Sequence, residues 1–237
     1  IEIDSKDELG LLGQAFNQMM ADIKDLLLAG AVQQCLIPNG KYKLEGYDCL
    51  VYNQMASKLG GDYADIFELT EDKVLIVIGD VTGHGISSSL LTAMVKASIF
   101  IFSNKKDVPL NQMVSNISMM ISDLLNKKKL MTFCAVILDK NTGEIAVCNA
   151  GHPFPIIREK QIGKSRTTEL SGFPMGASKR RCKYTSETET INPGETLILY
   201  TDGFPEAENE KGEDFGYKRF NQLITDSIIN SAEELRK

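Results

Sequence analysis

The chain has 237 residues, 43% of them hydrophobic and 24% charged. That is enough to bury a sizeable core in one large or two small domains, and it excludes a chain disordered throughout. With 26 basic against 32 acidic residues the net charge is −6 and no long basic run is present, which argues against nucleic acid as the main partner. The five cysteines, Cys35, Cys49, Cys134, Cys148 and Cys182, contain no C-x-x-C pair and read as free thiols, not a disulfide frame or a zinc site. Polar residues break the apolar stretches well short of the roughly 20 residues of a membrane span. No signal-peptide pattern opens the chain. It begins without methionine inside a helical pattern and is expected to be a piece of a longer protein.

In chain order, Leu9, Leu12, Phe16, Met19, Ile23 and Leu26 are spaced alternately three and four residues apart, which places them on one seam of a helix. Asp4 or Ser5 is expected to cap it. The string KDELGLLGQAFNQMMADI resembles the second helix of a HAMP domain over residues 1 to about 28, which implies a parallel dimer and a membrane span upstream of residue 1. The helical pattern runs on to Leu36 and stops at Pro38-Asn39-Gly40, a strong breaker, so 29–45 is expected to be a connecting helix and loop. Val74 to Asp80 reads as a buried strand, Ile86 to Phe102 and Leu110 to Leu125 as helices, and Thr132 to His152 as a β-hairpin in which Gly143 supplies a positive φ. Further strands are predicted over Cys182–Ile191 and Thr196–Gly203, and a last helix over Tyr217–Ile229. Strands in hairpins and helices in blocks indicate a layered α+β fold.

Two apolar strands end in an aspartate beside a glycine: Asp80 after Gly79 and Asp202 before Gly203. Asp62 follows Gly60-Gly61. Each alone is better explained as a turn residue than as a site. Three oxygen donors with no Cys/His cluster nearby suit a hard ion such as Mg²⁺ or Mn²⁺, and two such ions suit attack of water on a phosphoryl group.

The ordered motifs LGGDYADIF, GDVTGHG, NAGHP, SGFPMG, YTDGFPEAEN and GEDFG resemble the SpoIIE/RsbU branch of the PPM family of metal-dependent serine/threonine phosphatases. The resemblance spans about residues 29–237 and implies a four-layer αββα sandwich over 46–237. It also implies two Mn²⁺ or Mg²⁺ ions held by Asp62, Asp80, the Val81 carbonyl and Asp202, and attack by a metal-bound hydroxide without a phosphoenzyme. The implied substrate is a phosphoprotein, such as an anti-sigma-factor antagonist, and the implied setting is the cytoplasmic side of a membrane-anchored homodimer. His84, Lys58 and Asp65 are candidates for phosphate or substrate contact, with solvated or structural roles as the alternatives. His152 is expected to be structural.

The sequence departs from the family in two respects. The family's D-D-x-T string on its last strand is not found after Asp202, so the domain is expected to lack that strand and to bind metal incompletely, with Asp65 the first substitute. Ala64 stands where many relatives carry an aromatic. Two other functions remain open on sequence: a non-catalytic interaction module on the same fold, and a GGDEF-type nucleotide cyclase suggested by Gly60-Gly61-Asp62.

Overall fold

The computed structural model describes residues 7–54, 59–105, 108–125, 128–161, 163–178, 182–227 and 231–235. Helix α1, Glu8–Leu36, is one uninterrupted element, so the expected signalling and connecting segments share a single rod. Its cap is Asp7, whose carboxylate accepts from the Leu9 and Gly10 amides at 3.1 and 3.3 Å. Asp4 and Ser5 lie outside the described residues, and Asp7 fills the role expected of them. The apolar seam stands in solvent, with Leu9 67%, Leu12 66% and Met19 48% exposed.

A hairpin missed on sequence follows, β1 Gly40–Leu44 against β2 Tyr47–Val51. Then come β3 Tyr63–Glu68, β4 Lys73–Val81, α2 Ile86–Ser103, α3 Leu110–Leu125, β5 Met131–Asp139 and β6 Glu144–Ala150. The remaining elements are β7 Ile156–Arg158, β8 Ser165–Thr167, β9 Glu187–Thr190, β10 Thr196–Ile198, α4 Tyr217–Asp226 and α5 Ala232–Leu235. The strand expected over Cys182–Ile191 is confined to β9, an exposed edge, and the one expected over Thr196–Gly203 to the three residues of β10. Gly143 has φ +72° in the β5–β6 turn, as the hairpin requires.

One sheet runs β3-β4-β5-β6-β9 and the other β10-β7-β8, all antiparallel. Successive strand side chains point to opposite faces, and burial follows that period. On β4, Leu75, Val77 and Val81 pack with Leu91, Val95, Ile99, Val114 and Ile117 of the helices. Val74, Ile76 and Ile78 pack on the other side, with Ile157, Leu197 and the β1–β2 hairpin. The next residues of the small sheet, Ile156 and Ile198, turn away to meet Phe220 and Ile224 of α4. The layers are therefore α2/α3, five-stranded sheet, three-stranded sheet with hairpin, and α4: the αββα order.

Length and composition alone would allow α2 to cross a membrane, contrary to the expectation that every apolar stretch falls short. Its inward residues, Leu91, Val95 and Ile99, are instead buried against this sheet.

Candidate functional site

The strand period decides where the aspartates point. Asp80 follows Ile78 on β4 and faces the space between the sheets, and Asp62 precedes Ala64 and Ile66 on that same face. Asp202 arrives from the opposite sheet, in the turn after β10, where its carbonyl accepts from the Glu206 amide at 2.9 Å. The three carboxylates sense one another. Burial raises the Asp80 carboxyl to about 6, with the charges of Asp62 and Asp202 adding to it and the Val81 amide opposing. Burial and Asp202 likewise raise Asp62, against a hydrogen bond from Thr201.

Beside them is a cavity of about 550 Å³ whose walls include Asp80, Asp202, Thr132, His152, Tyr200 and Tyr217. Gly61 closes in from the loop that enters β3. A Cβ there would lie 2.5 Å from the Val81 carbonyl oxygen and 2.9 Å from Asp80 Oδ1, so only glycine allows this approach. The Gly61 carbonyl in turn accepts from the Val81 amide at 3.3 Å.

The other candidates separate. Val81 turns its side chain into the helix-side core while its carbonyl borders Gly61. His84 is exposed in the turn between β4 and α2. Lys58 lies outside the described residues. Asp65 is a correction: it belongs to the helix-facing side of β3 with Tyr63 and Phe67, the face opposite the Asp62–Asp80 pair. There its carboxylate binds Lys96 of α2 and accepts from Tyr63 Oη at 3.0 Å, so it is neither a substrate contact nor a substitute ligand.

Sequence reasoning missed Thr132, opposite Asp80 in the β4–β5 register, and Gln33 of α1. The Gln33 amide donates to the Gly60 carbonyl at 2.8 Å and accepts from the Gly60 amide at 3.3 Å. The burial of a polar residue 3% exposed within a long helix is the signal of that contact, and it is visible only once the chain is folded.

Among the described residues, no three His, Cys, Asp or Glu side chains already form a cage for one ion. The donor set still fits a hard dication. Its donors are oxygens alone, its three carboxylates repel until a cation neutralises them, and Gly61 keeps clear a space that any Cβ would fill.

Two antiparallel sheets between helices, with carboxylates from both converging at one end, define a PP2C-type phosphatase domain. A family model of SpoIIE, Stage II sporulation protein E, matches residues 70–237, and the chain belongs to this family. It is 24% identical to protein IcfG of Synechocystis over 97% of its own length and 42% of that protein's. It is 27% identical to the phosphoserine phosphatase RsbP of Bacillus subtilis over 70% of its length and 40% of RsbP's. The chain thus spans about two fifths of these curated relatives. The PP2C domain of SiaA from Pseudomonas aeruginosa has the same fold, with a TM-score of 0.72 at 20% identity over 93% of this chain and 87% of that one. Members of the family generally use Mn²⁺ or Mg²⁺.

Proposed function

We propose that the chain is a signal-controlled serine phosphatase that removes phosphate from phosphoserine on a regulatory protein. The observation that carries this is the convergence of Asp62, Asp80 and Asp202 from two sheets beside a cavity, with the first two held above the usual carboxylate range. Asp62, Asp80, Asp202 and the Val81 carbonyl are the groups that would hold two Mn²⁺ or Mg²⁺ ions. Bound there, the cations supply the Lewis acidity that phosphoryl transfer needs. The chain's own part is positioning. The Val81 amide favours the charged form of Asp80 and Thr201 that of Asp62, while the Val81 amide holds the Gly61 carbonyl and with it the approach to Asp62. His84, exposed in the turn that follows β4, is the proposed phosphate contact. That RsbP is a phosphoserine phosphatase supports the substrate class, and the sequence resemblance supports an anti-sigma-factor antagonist as the substrate.

Control enters through α1. Its exposed apolar seam is suited to a second copy of the chain, and the resemblance of residues 1–28 to a HAMP helix supports a membrane-anchored receptor as the input. Near the other end of the same rod, Gln33 grips Gly60, two residues before Asp62. A shift of α1 in a dimer therefore pulls on the loop that carries a ligand.

The test is hydrolysis of a phosphoserine protein or a generic phosphomonoester with and without Mn²⁺. Activity that requires the ion and is lost in Asp202→Asn supports the proposal. A folded chain that shows no metal-dependent hydrolysis is an interaction module instead.

A further inference from the structure

One buried polar chain crosses the sandwich beside the aspartates, and none of the roles above uses it. Asn149 of β6 clamps the main chain of His152, donating to its carbonyl at 2.9 Å and accepting from its amide at 2.8 Å. The His152 ring is fixed in consequence, at 4% exposure. Its Nδ1 lies 2.9 Å from the hydroxyl of Thr132, which is itself 3.5 Å from the Asp80 carbonyl. The ring lines the cavity together with Tyr200, which follows β10 and comes two residues before Asp202, and the Tyr200 main chain lies next to the imidazole. There Nε2 is buried without a completed hydrogen bond, an exception that calls for a reason in a site this enclosed.

We propose that His152 is a positioning residue for the cation centre, spanning the two sheets so that the strand carrying Asp80 and the turn carrying Asp202 are held at a working separation. This rests on the phosphatase reading above. The ring reaches the Asp80 strand through Thr132, which pairs with Asp80 in the β4–β5 register; the link runs through the strand ladder, because the one hydroxyl proton of Thr132 is taken by Nδ1. In the tautomer where Thr132 donates to Nδ1, Nε2 carries the proton and points it at the Tyr200 carbonyl. Closing that bond draws Tyr200, and with it Asp202, toward Asp80. Drawing the sheets together around cations and satisfying the orphaned nitrogen are therefore the same movement. Burial keeps the ring neutral, its pKa lowered to about 4, so it adds no positive charge that would oppose a dication.

The experiment compares wild type with His152→Ala and His152→Asn, the latter keeping a polar atom in reach of Thr132 but not of Tyr200. Mn²⁺ affinity is measured by calorimetry without substrate. Amide hydrogen exchange is measured without metal. Val136→Ala, a core change elsewhere on the inter-sheet face, serves as the control for general destabilisation. His152→Ala should weaken Mn²⁺ binding about 10–100-fold, the usual effect of removing a group that orients ligands. It should speed exchange of the Val81 and Glu206 amides while sparing Leu138. His152→Asn should recover protection at Val81 alone. Unchanged Mn²⁺ affinity in His152→Ala overturns the proposal, as does an equal loss in Val136→Ala at matched melting temperature. If the wild type binds no Mn²⁺, the phosphatase reading fails, and the inter-sheet role then stands or falls on the exchange pattern alone.

Discussion

Replacing Asp80 with asparagine should make the metal-free protein more stable while removing its function. The rise of the Asp80 carboxyl from 3.8 to about 6 corresponds to roughly 3 kcal/mol against the charged form if nothing screened it. Asp80 is only partly buried, and solvent screening reduces this to about 1–2 kcal/mol. Asparagine keeps the shape and removes the charge facing Asp62 and Asp202. At neutral pH without metal, Asp80→Asn should therefore raise the melting temperature by about 2–8 °C for a domain of this size. Added Mn²⁺ should stabilise the wild type by mass action and leave the variant nearly unmoved. Differential scanning calorimetry at several Mn²⁺ concentrations, with chelator as the zero point, reads both effects. A variant less stable than wild type without metal, or one that gains as much from Mn²⁺, would refute the view of Asp80 as a carboxylate held in a repulsive cluster for a cation.

Three further outcomes follow from the same geometry. Because folded Asp80 keeps its proton to higher pH than the unfolded chain does, metal-free stability should fall as pH rises from about 4 to about 6; urea titrations that show stability rising through that window contradict it. Gly61→Ala puts a Cβ 2.5 Å from the Val81 carbonyl oxygen, and calorimetry should show at least a tenfold loss of Mn²⁺ affinity, about 1.4 kcal/mol. Asp65→Asn breaks the contact with Lys96 and should cost about 2–3 kcal/mol in denaturant melts, yet leave Mn²⁺ affinity within about threefold, since the pair sits across the sheet from the cleft.

The strands that carry Asp80 and Asp202 were legible because each is an apolar run ending at a glycine, a pattern that needs no partner to be recognised. α3 and the β5–β6 hairpin were legible for a similar local reason. The β1–β2 hairpin was not: its exposed residues include Lys41, Lys43 and Asp48, and its apolar side is completed only by Ile78, Val136 and Val147 of the large sheet. Strands β7 and β8 have three residues each, too few for a period to declare itself, and β10 was legible but stops at Ile198, short of the apolar run that announced it. The site divides in the same way. Aspartate identities could be read from motifs, but the side of the sheet each occupies depends on register. That is why Asp65, three residues from Asp62, ends on the opposite face, and why Gln33, Thr132 and His152 become part of the account only through contacts distant in sequence.

Whether the three aspartates form one catalytic cation site is decided by the rate of phosphate release from a phosphoserine protein by the purified chain, measured across a Mn²⁺ titration with Asp202→Asn in parallel. Asp202 is the contribution of the second sheet, so its loss separates a two-sheet cation site from any weak binding at Asp62 and Asp80 alone. Saturable, chelator-sensitive release is expected from the wild type, with a fall of at least a hundredfold in the variant, about 2.7 kcal/mol of barrier. Release that is independent of Mn²⁺, or unchanged in Asp202→Asn, would contradict a two-sheet cation site.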